Sequence, residues 1–378
     1  MARFARLLRA EYEARGCSVE VWSPTARVFN WVPAGRLSKW AGYVDQYLLF
    51  PFSVRRALKR TPSQALFVVC DQALGPWVPL LRHRPHVVHA HDLLALRSAL
   101  GEFPENPTAL SGRIYQRYIR RGFQKARHFI SISHSTRADL HRCGMVSPAI
   151  SEVVYNGLNY PYQQMSDQEA QRALAAAGLP VEPRGMLLHV GGGQWYKNLA
   201  GVMLLYASYA GQSENPLALW CISPAPDAKV RRAMSQVPRQ GKVVFFQGLD
   251  NATLQAAYSH AKALLFPSLA EGFGWPLIEA QACGCPVITT DAAPMNEVAG
   301  SDARYLPRLA VGDDVNAWAA HGAAVLRDLL DASARDKAQA SERRRAWARR
   351  FSTQAAIESY LAIYSKILST YGISVPSS

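Results

Sequence analysis

Short apolar runs alternate with helically patterned stretches along most of this chain, and that alternation restricts it to folds built on parallel sheets. The first series reads SVEVWS (18–23), ALFVVCD (65–71), HVVHAHD (86–92), HFISIS (128–133) and SEVVYNG (151–157), with helical stretches among them at 36–60 and 111–126. The second reads GMLLHVGG (185–192), LALWCIS (217–223), KVVFFQG (242–248), ALLFPS (263–268) and PVITTD (286–291). None alternates cleanly between apolar and polar residues, so each strand is expected in a sheet covered on both faces. Residues 156–185, rich in Gly, Pro and Gln with one short helical pattern, have the composition of a linker region. After about residue 312 the strand signals stop and helices rich in Ala and Arg follow, ending in FSTQAAIESYLAIYSKILSTYG (351–372). The expected fold class is α/β with two doubly wound Rossmann-like domains, over 1–160 and 185–350, joined by a linker at 161–184. A C-terminal helix over 351–378 is expected to be free to cross back to the first domain.

A doubly wound domain opens on a strand and a Gly-rich turn, yet this chain opens on helix-patterned ARFARLLRAEYEARG, with SVEVWS reading as a second strand. The first strand of the N-terminal domain is therefore expected to be missing, either because the chain begins late relative to its gene or because the sheet is incomplete. A chain lacking it is expected to be weakly active or inactive, since a central strand leaves two neighbours unpaired.

Composition narrows the function classes. At 378 residues with 49% hydrophobic and 19% charged residues, the chain is neither disordered nor fibrous. No apolar run approaches the ~20 residues that span a bilayer, and no signal-peptide core follows the Arg-rich start, so a cytoplasmic location is expected. The six cysteines, scattered without metal-ligand spacing, read as reduced thiols. Residues 1–160 carry 22 Lys/Arg against 10 Asp/Glu, whereas the remainder carries 20 against 18. A positive field confined to the first half favours an anionic partner: nucleic acid, anionic lipid or a phosphorylated substrate. The absence of any recognisable binding module or aromatic-basic motif argues against nucleic acid. RFARLLRA and RIYQRYIRRGFQKAR place Arg and aromatic residues on helix faces suited to an anionic membrane surface.

The densest chemistry lies in FPSLAEGFGWPLIEAQACGCPVITTD (266–291), which runs strand, loop, helix, strand. Gly272, Phe273 and Gly274 lead into a helix with Pro276 in its first turn, followed by Leu277. Free backbone N–H groups at such a helix start attract an anion, and glycines allow its close approach. Glu271 and Glu279 stand eight residues apart, just over two helical turns, so their carboxylates can address different parts of one ligand. Glu279 is expected at an exposed position, suited to the two hydroxyls of a ribose.

The pattern E-G-F-G-x-P-x-x-E-A-x-A-x-G-x-P-V-I resembles the E-x7-E segment of glycosyltransferase family 4, retaining enzymes of the GT-B architecture. The resemblance continues upstream through GLDNATLQAAYSHAKALLFPSLAEGFG, downstream through APMNEVAG, and in LLHVGGGQWYKNLAGV (187–202). It is looser in HVVHAHDLLAL, ISISHSTRADL and VVYNGL. It implies two facing domains, the second holding a nucleotide sugar (GDP- or UDP-linked) and the first an acceptor. Lys197, with Gly191, Gly192, Gly193, Asn198 and the EGFG amides, would bind the donor diphosphate; Glu279 would hold the ribose, and Glu271 and His91 the sugar hydroxyls. Asp92 would orient His91 or contact a hydroxyl itself. Many family members carry an Arg near these glycines or this Lys, where this chain has Gly192 and Tyr196.

The resemblance further implies transfer of a hexose, such as mannose, to a glycan or lipid-linked acceptor in polysaccharide or lipopolysaccharide synthesis, with retention and no metal or resident cofactor. The enzyme would sit in the cytoplasm, peripheral at the inner face of the plasma membrane. A sugar-nucleotide hydrolase or epimerase, and a non-catalytic nucleotide-sugar or nucleic-acid-binding protein, remain open as alternatives. Metal binding by His89, His91 and Asp92 is disfavoured because successive strand residues face opposite sides.

Overall fold

The computed structural model describes residues 2–33 and 35–373. Met1, Ala34 and residues 374–378, among them the outer ends of the expected first domain and of the expected C-terminal segment, lie outside the described residues. The chain forms two compact units, both of the parallel α/β kind.

The first unit comprises residues up to Glu102, Pro107–Tyr155 and the chain from Gln354 onward. Its sheet has four parallel strands, β1 (Phe67–Val69), β2 (His86–Ala90), β3 (His128–Ser131) and β4 (Ile150–Val153), placed side by side in chain order. Period-two alternation sends Val88 and Phe129 to one face, where Val78, Ile119, Phe123 and Leu140 from the connecting helical segments cover them. Val87 and Ile130 point to the other face, covered by two helices, Ala2–Glu13 and Thr353–Ser369. In the N-terminal helix, Phe4, Leu8 and Tyr12 recur every four residues and form one buried stripe. That stripe corrects the expectation of a lipid-facing N-terminal helix: its aromatic face is the lid of a core. The segment Gln72–Leu81 crosses Leu110–Phe123 so closely that a Cβ on Gly122 would fall 2.2 Å from the Gly75 carbonyl oxygen, and only glycine permits the approach.

Residues 18–23 form no strand, which corrects the reading of SVEVWS. A strand exists only where a neighbour accepts its backbone ladder, and here β1 is the sheet edge and pairs with β2 alone. Val19 joins the core instead, Trp22 packs against the Phe67 ring at 5.4 Å, and Val21 stays half exposed.

The second unit comprises Phe103–Asn106 and Asn156–Thr353. Its six parallel strands are β5 (Leu187–Val190), β6 (Leu219–Ile222), β7 (Val243–Phe246), β8 (Ala263–Phe266), β9 (Val287–Thr290) and β10 (Arg304–Leu306). They lie in the order β10-β9-β8-β5-β6-β7. β10 is absent from the strands read off the sequence because three residues at a sheet edge, one an Arg, make no apolar run. Leu187, Leu265 and Ile288 pack under the helices Leu199–Gly211 and Val315–Asp331 in a core that includes Met203, Tyr206, Trp318 and Leu326. The stretch 161–184 packs with this unit: Ser166 and Glu169 close a capping box on the helix Asp167–Ala176, which buries Ala170 and Leu174.

Candidate active site

The strand order of the second sheet reverses between β5 and β8, so the segments that follow these two neighbours diverge to opposite sides and leave a crevice beyond their C-terminal ends. Most of the residues singled out from the sequence lie at those two strand ends.

After β5 the chain turns through Gly191–Gly193. A Cβ on Gly191 would stand 2.9 Å from His189 Nε2, and Gly193 has φ +76°, so the tight approach and the left-handed turn both require glycine. Beneath the turn His189 is fully buried; its Nδ1–H donates to the Leu265 carbonyl at 2.9 Å, and burial holds its pKa down at about 4. The ring is neutral, and Nε2 is a lone-pair acceptor without a partner among the described residues. A short turn, Trp195–Lys197, leads to Asn198, which sits in the left-handed region at φ +52° and caps the next helix by accepting from Gly201 N–H at 3.3 Å. The Asn198 amide also donates to the Pro267 carbonyl at 3.1 Å, and Leu269 N–H donates to the Tyr196 carbonyl at 2.7 Å. These two bonds tie the β5 loop to the β8 loop.

After β8 the loop brings Glu271 against Lys197, with Nζ 2.7 Å from Oε1. Both are largely buried, with side chains 13% and 6% exposed, and Nζ lies 4.7 Å from the centre of the Phe266 ring. A cation and an anion are thus held at one strand end, mutually neutralised. Gly272 and buried Phe273 lead to Gly274, which enters the helix Trp275–Ala282 with φ +96°; a Cβ there would press 2.9 Å from Leu277. Pro276 occupies the first turn of this helix, where its missing N–H costs nothing. Glu279, about one turn into the helix, is 6% exposed and accepts a 3.0 Å bond from Tyr258 OH. The expectation of an exposed Glu279 is therefore corrected. The helix turns this carboxylate inward, and Tyr258, in the helix Asn251–His260, holds it.

His91 and Asp92 belong to the first unit, where they follow β2. His91 Nε2–H donates to the Cys70 carbonyl at 2.9 Å, which leaves Nδ1 as the acceptor; burial lowers its pKa, so the ring is neutral. Asp92 Oδ1 accepts from Leu94 N–H at 3.1 Å, and burial raises its carboxyl above the usual range. Gln72 clamps both backbones, accepting from His91 N–H at 3.0 Å and donating to the Asp92 carbonyl. His89 donates or accepts at Tyr364 OH, 2.8 Å away, and among the described residues no cluster of three or more His, Cys, Asp or Glu is placed to hold a metal.

Comparison with known proteins decides the family. The model of the group 1 glycosyl transferases matches residues 171–343, and that of glycosyltransferase family 4 matches residues 1–160. The chain belongs to glycosyltransferase family 4. A D-inositol 3-phosphate glycosyltransferase of Mycolicibacterium paratuberculosis is 29% identical over 314 residues, 78% of this chain and 65% of that protein. An O-antigen chain mannosyltransferase of Salmonella typhimurium is 24% identical over 64% of this chain and 60% of its own length. The chain thus spans about two thirds or less of these relatives. Among solved structures, a sucrose-phosphate synthase of Thermosynechococcus elongatus superposes with a TM-score of 0.66 at 20% identity, over 92% of this chain and 83% of that one. Anabaena HepE, solved with UDP and glucose, superposes with a TM-score of 0.64 at 16% identity, over 95% and 89%. The fold of the chain is GT-B, that of these solved neighbours.

Sequence reasoning missed two residues at the candidate site of the second unit. Tyr258 carries no motif signal, because a helical tyrosine is ordinarily a packing residue. Arg308, just after unrecognised β10, donates to the Leu269 carbonyl at 2.9 Å and pairs with Glu105 at 2.8 Å, which sets a second cation beside the β8 loop.

Proposed function

We propose that this family 4 glycosyltransferase moves a hexosyl group from a GDP- or UDP-linked sugar to a hydroxyl of a glycan or lipid-linked acceptor, with retention at the anomeric carbon. The observation that carries this reading is the junction of Lys197 and Glu271 at the β5/β8 reversal, beside the Gly191–Gly193 turn and the start of helix Trp275–Ala282. A diphosphate entering there meets the Lys197 ammonium and the backbone N–H groups of the helix start. Its arrival draws Lys197 away from Glu271, whose freed carboxylate can accept bonds from sugar hydroxyls. Glu279, held by Tyr258, is a fixed acceptor for ribose hydroxyls. In the transfer step the acceptor oxygen bonds the anomeric carbon from the face the diphosphate leaves, the carbon–phosphate-oxygen bond breaks, and the acceptor's proton passes to the departing phosphate. Charge grows on the leaving diphosphate, and Lys197 with the helix amides stabilises it electrostatically, which requires no metal ion. The roles of His91 and Asp92 at the donor sugar rest on the resemblance of HVVHAHD alone; a neutral His91 would serve as a hydrogen-bond acceptor through Nδ1.

A panel of nucleotide sugars, read by the rise in melting temperature, tests the reading and identifies the base and sugar. At a ligand concentration about 100 times Kd the stabilisation is about 2.7 kcal/mol, enough for a shift of several degrees. A panel in which no nucleoside diphosphate sugar moves the transition would remove the donor reading.

A further inference from the structure

All six strands of the second sheet run the same way, so the end where they begin faces away from the β5/β8 crevice, and a second cavity lies there. It measures about 850 Å³, within the roughly 300–1,000 Å³ of small-molecule sites. The starts of β6, β8, β9 and β10 form its floor, and the helices Val315–Asp331 and Ala334–Ala348 contribute its other walls. Beyond residue 160 the chain is nearly balanced, with 20 Lys/Arg against 18 Asp/Glu, yet seven of those cations and only three of those acids line this one cavity. Four of the seven are engaged within the fold: Arg343 pairs with Asp302 at 2.6 Å, and Arg184, Arg327 and Lys337 donate to oxygens of Asn215, Gln212 and Leu330. Three are not. Arg344 is 3% exposed, yet its Nε and Nη2 both donate to the Gly284 carbonyl, and among the described residues Nη1 takes no bond and no acid pairs with the side chain. Lys262, next to the start of β8, and Arg304, the first residue of β10, make no side-chain hydrogen bond or ion pair among the described residues. These cations are neighbours. Burial pushes the Cys285 thiol up to about 12 against the pull of Arg344 and Lys262, and burial, with Arg343 and Arg304 behind it, holds the Arg344 pKa below its ordinary value. Like charges gathered in this way repel one another, and an anion placed among them would relieve that cost.

We propose that this cavity binds a small phosphorylated organic molecule, with Lys262, Arg304 and Arg344 holding its phosphate. Three cations call for more than one negative charge, which a phosphate monoester carries and a carboxylate does not. Guanidinium groups also match phosphate oxygens in geometry. The volume exceeds what a phosphate ion fills, and Tyr209, Leu217, Leu329 and Leu330 supply apolar wall for an organic remainder. The site is separate from the donor reading: β8 runs from beside Lys262 to the loop that carries Glu271, so the strand's own length lies between them.

Titration calorimetry with phenyl phosphate, inorganic phosphate and benzoate reads it directly. Phenyl phosphate is expected to bind saturably and tightest of the three, and to weaken as salt rises. Lys262→Gln/Arg304→Gln should lose about 10- to 100-fold in that affinity, with the melting temperature near that of wild type because both side chains are exposed and carry no bond. Should the double variant melt early, Arg304→Gln alone reads the same loss at about tenfold. Lys197→Ala should bind phenyl phosphate as wild type does. Absence of phenyl phosphate binding, or undiminished binding by the Arg304 variants, would overturn the proposal. So would benzoate binding as tightly, since the site would then not select phosphate, or inorganic phosphate binding as tightly, since the occupant would then be a counter-ion only. Loss of binding in Lys197→Ala also overturns it, because the probe would then occupy the donor crevice. A chain that binds phenyl phosphate through Lys262 and Arg304 but no nucleotide sugar leaves this cavity standing and removes the donor reading instead.

Discussion

The four strands of the first sheet follow one another in chain order, whereas the six of the second reverse between β5 and β8. Both sheets are parallel and covered on both faces, so the packing rules are the same. What differs is the geometry at the strand ends. Connections that stay on one side leave no crevice between neighbouring strands; a reversal does, and it sets two loops against each other. In the second unit those loops are stitched by Asn198 to Pro267 and by Leu269 to Tyr196, and they trap the Lys197–Glu271 pair. In the first, His91 and Asp92 at the end of β2 are held by Gln72 and Cys70 from the segment that follows the neighbouring edge strand β1, with no ion pair between the two segments among the described residues. The motif density along the chain follows the same line, strong from about 185 to 300 and weak before 150.

If the second unit carries the diphosphate chemistry, the largest effect belongs to Lys197. Lys197→Ala removes the cation that stabilises the leaving group, and transfer should fall about 100- to 1,000-fold. It also removes the ammonium that balances the largely buried Glu271 charge, so the single variant should be less stable than Lys197→Ala/Glu271→Ala, in which that charge is gone too. Rates and melting curves of the three proteins check both parts. Transfer by Lys197→Ala at the wild-type rate, or strict additivity of the two substitutions, would break the contrast between the units.

The next effect concerns acid. Histidines 86, 89, 91 and 128 of the first unit are buried with lowered pKa values, burial being the leading cause, and His89 stands at about 3. In the second unit His189 is shifted in the same way, to about 4. Each folded pKa lies below the ordinary 6.5, so the unfolded chain binds more protons as pH falls. The stability these neutral rings allow is intact above about pH 6.5 and drains below it, by about 1.4 kcal/mol per pH unit for each histidine that stays neutral. The first unit, with four, should therefore loosen first. Hydrogen exchange between pH 6.5 and 5 should show β2 and β3 amides losing protection before those of β5 and β8. Parallel loss in both units would show that they unfold as one, despite their unequal histidine content.

Much of this architecture was readable before any coordinates. Nine of the ten apolar runs became strands because a strand covered on both faces must be apolar throughout. SVEVWS failed because a strand depends on its neighbour, which local composition does not encode. β10 was invisible for the opposite reason: three residues at an edge obtain their geometry from β9. The second-unit site was legible in its glycines, since positive φ at Gly193 and Gly274 leaves a sequence signature. The partners were not. Tyr258 and Arg308 reach the site through tertiary packing from elements 21 and 29 residues away from Glu279.

The smallest of these effects separates holding a ligand from holding the fold, and it turns on Glu279. A buried carboxylate that accepts a tyrosine hydroxyl has two duties, and an alanine there removes both. Glu279→Gln keeps an oxygen for Tyr258 and the volume of the side chain, while losing the negative charge that a pair of ribose hydroxyls would bond. Nucleotide affinity should fall about 10- to 100-fold, the worth of a hydrogen bond to a charged group. The melting temperature should stay near that of wild type. Glu279→Ala should match that affinity loss and also lower stability by about 1–3 kcal/mol, because the fully buried Tyr258 hydroxyl is left without its acceptor. Titration calorimetry with UDP and GDP, paired with melting curves, distinguishes the cases. If Glu279→Gln binds nucleotide as wild type does while Glu279→Ala melts early, Glu279 is a structural partner of Tyr258, and the ribose contact has to be sought elsewhere at the β5/β8 crevice.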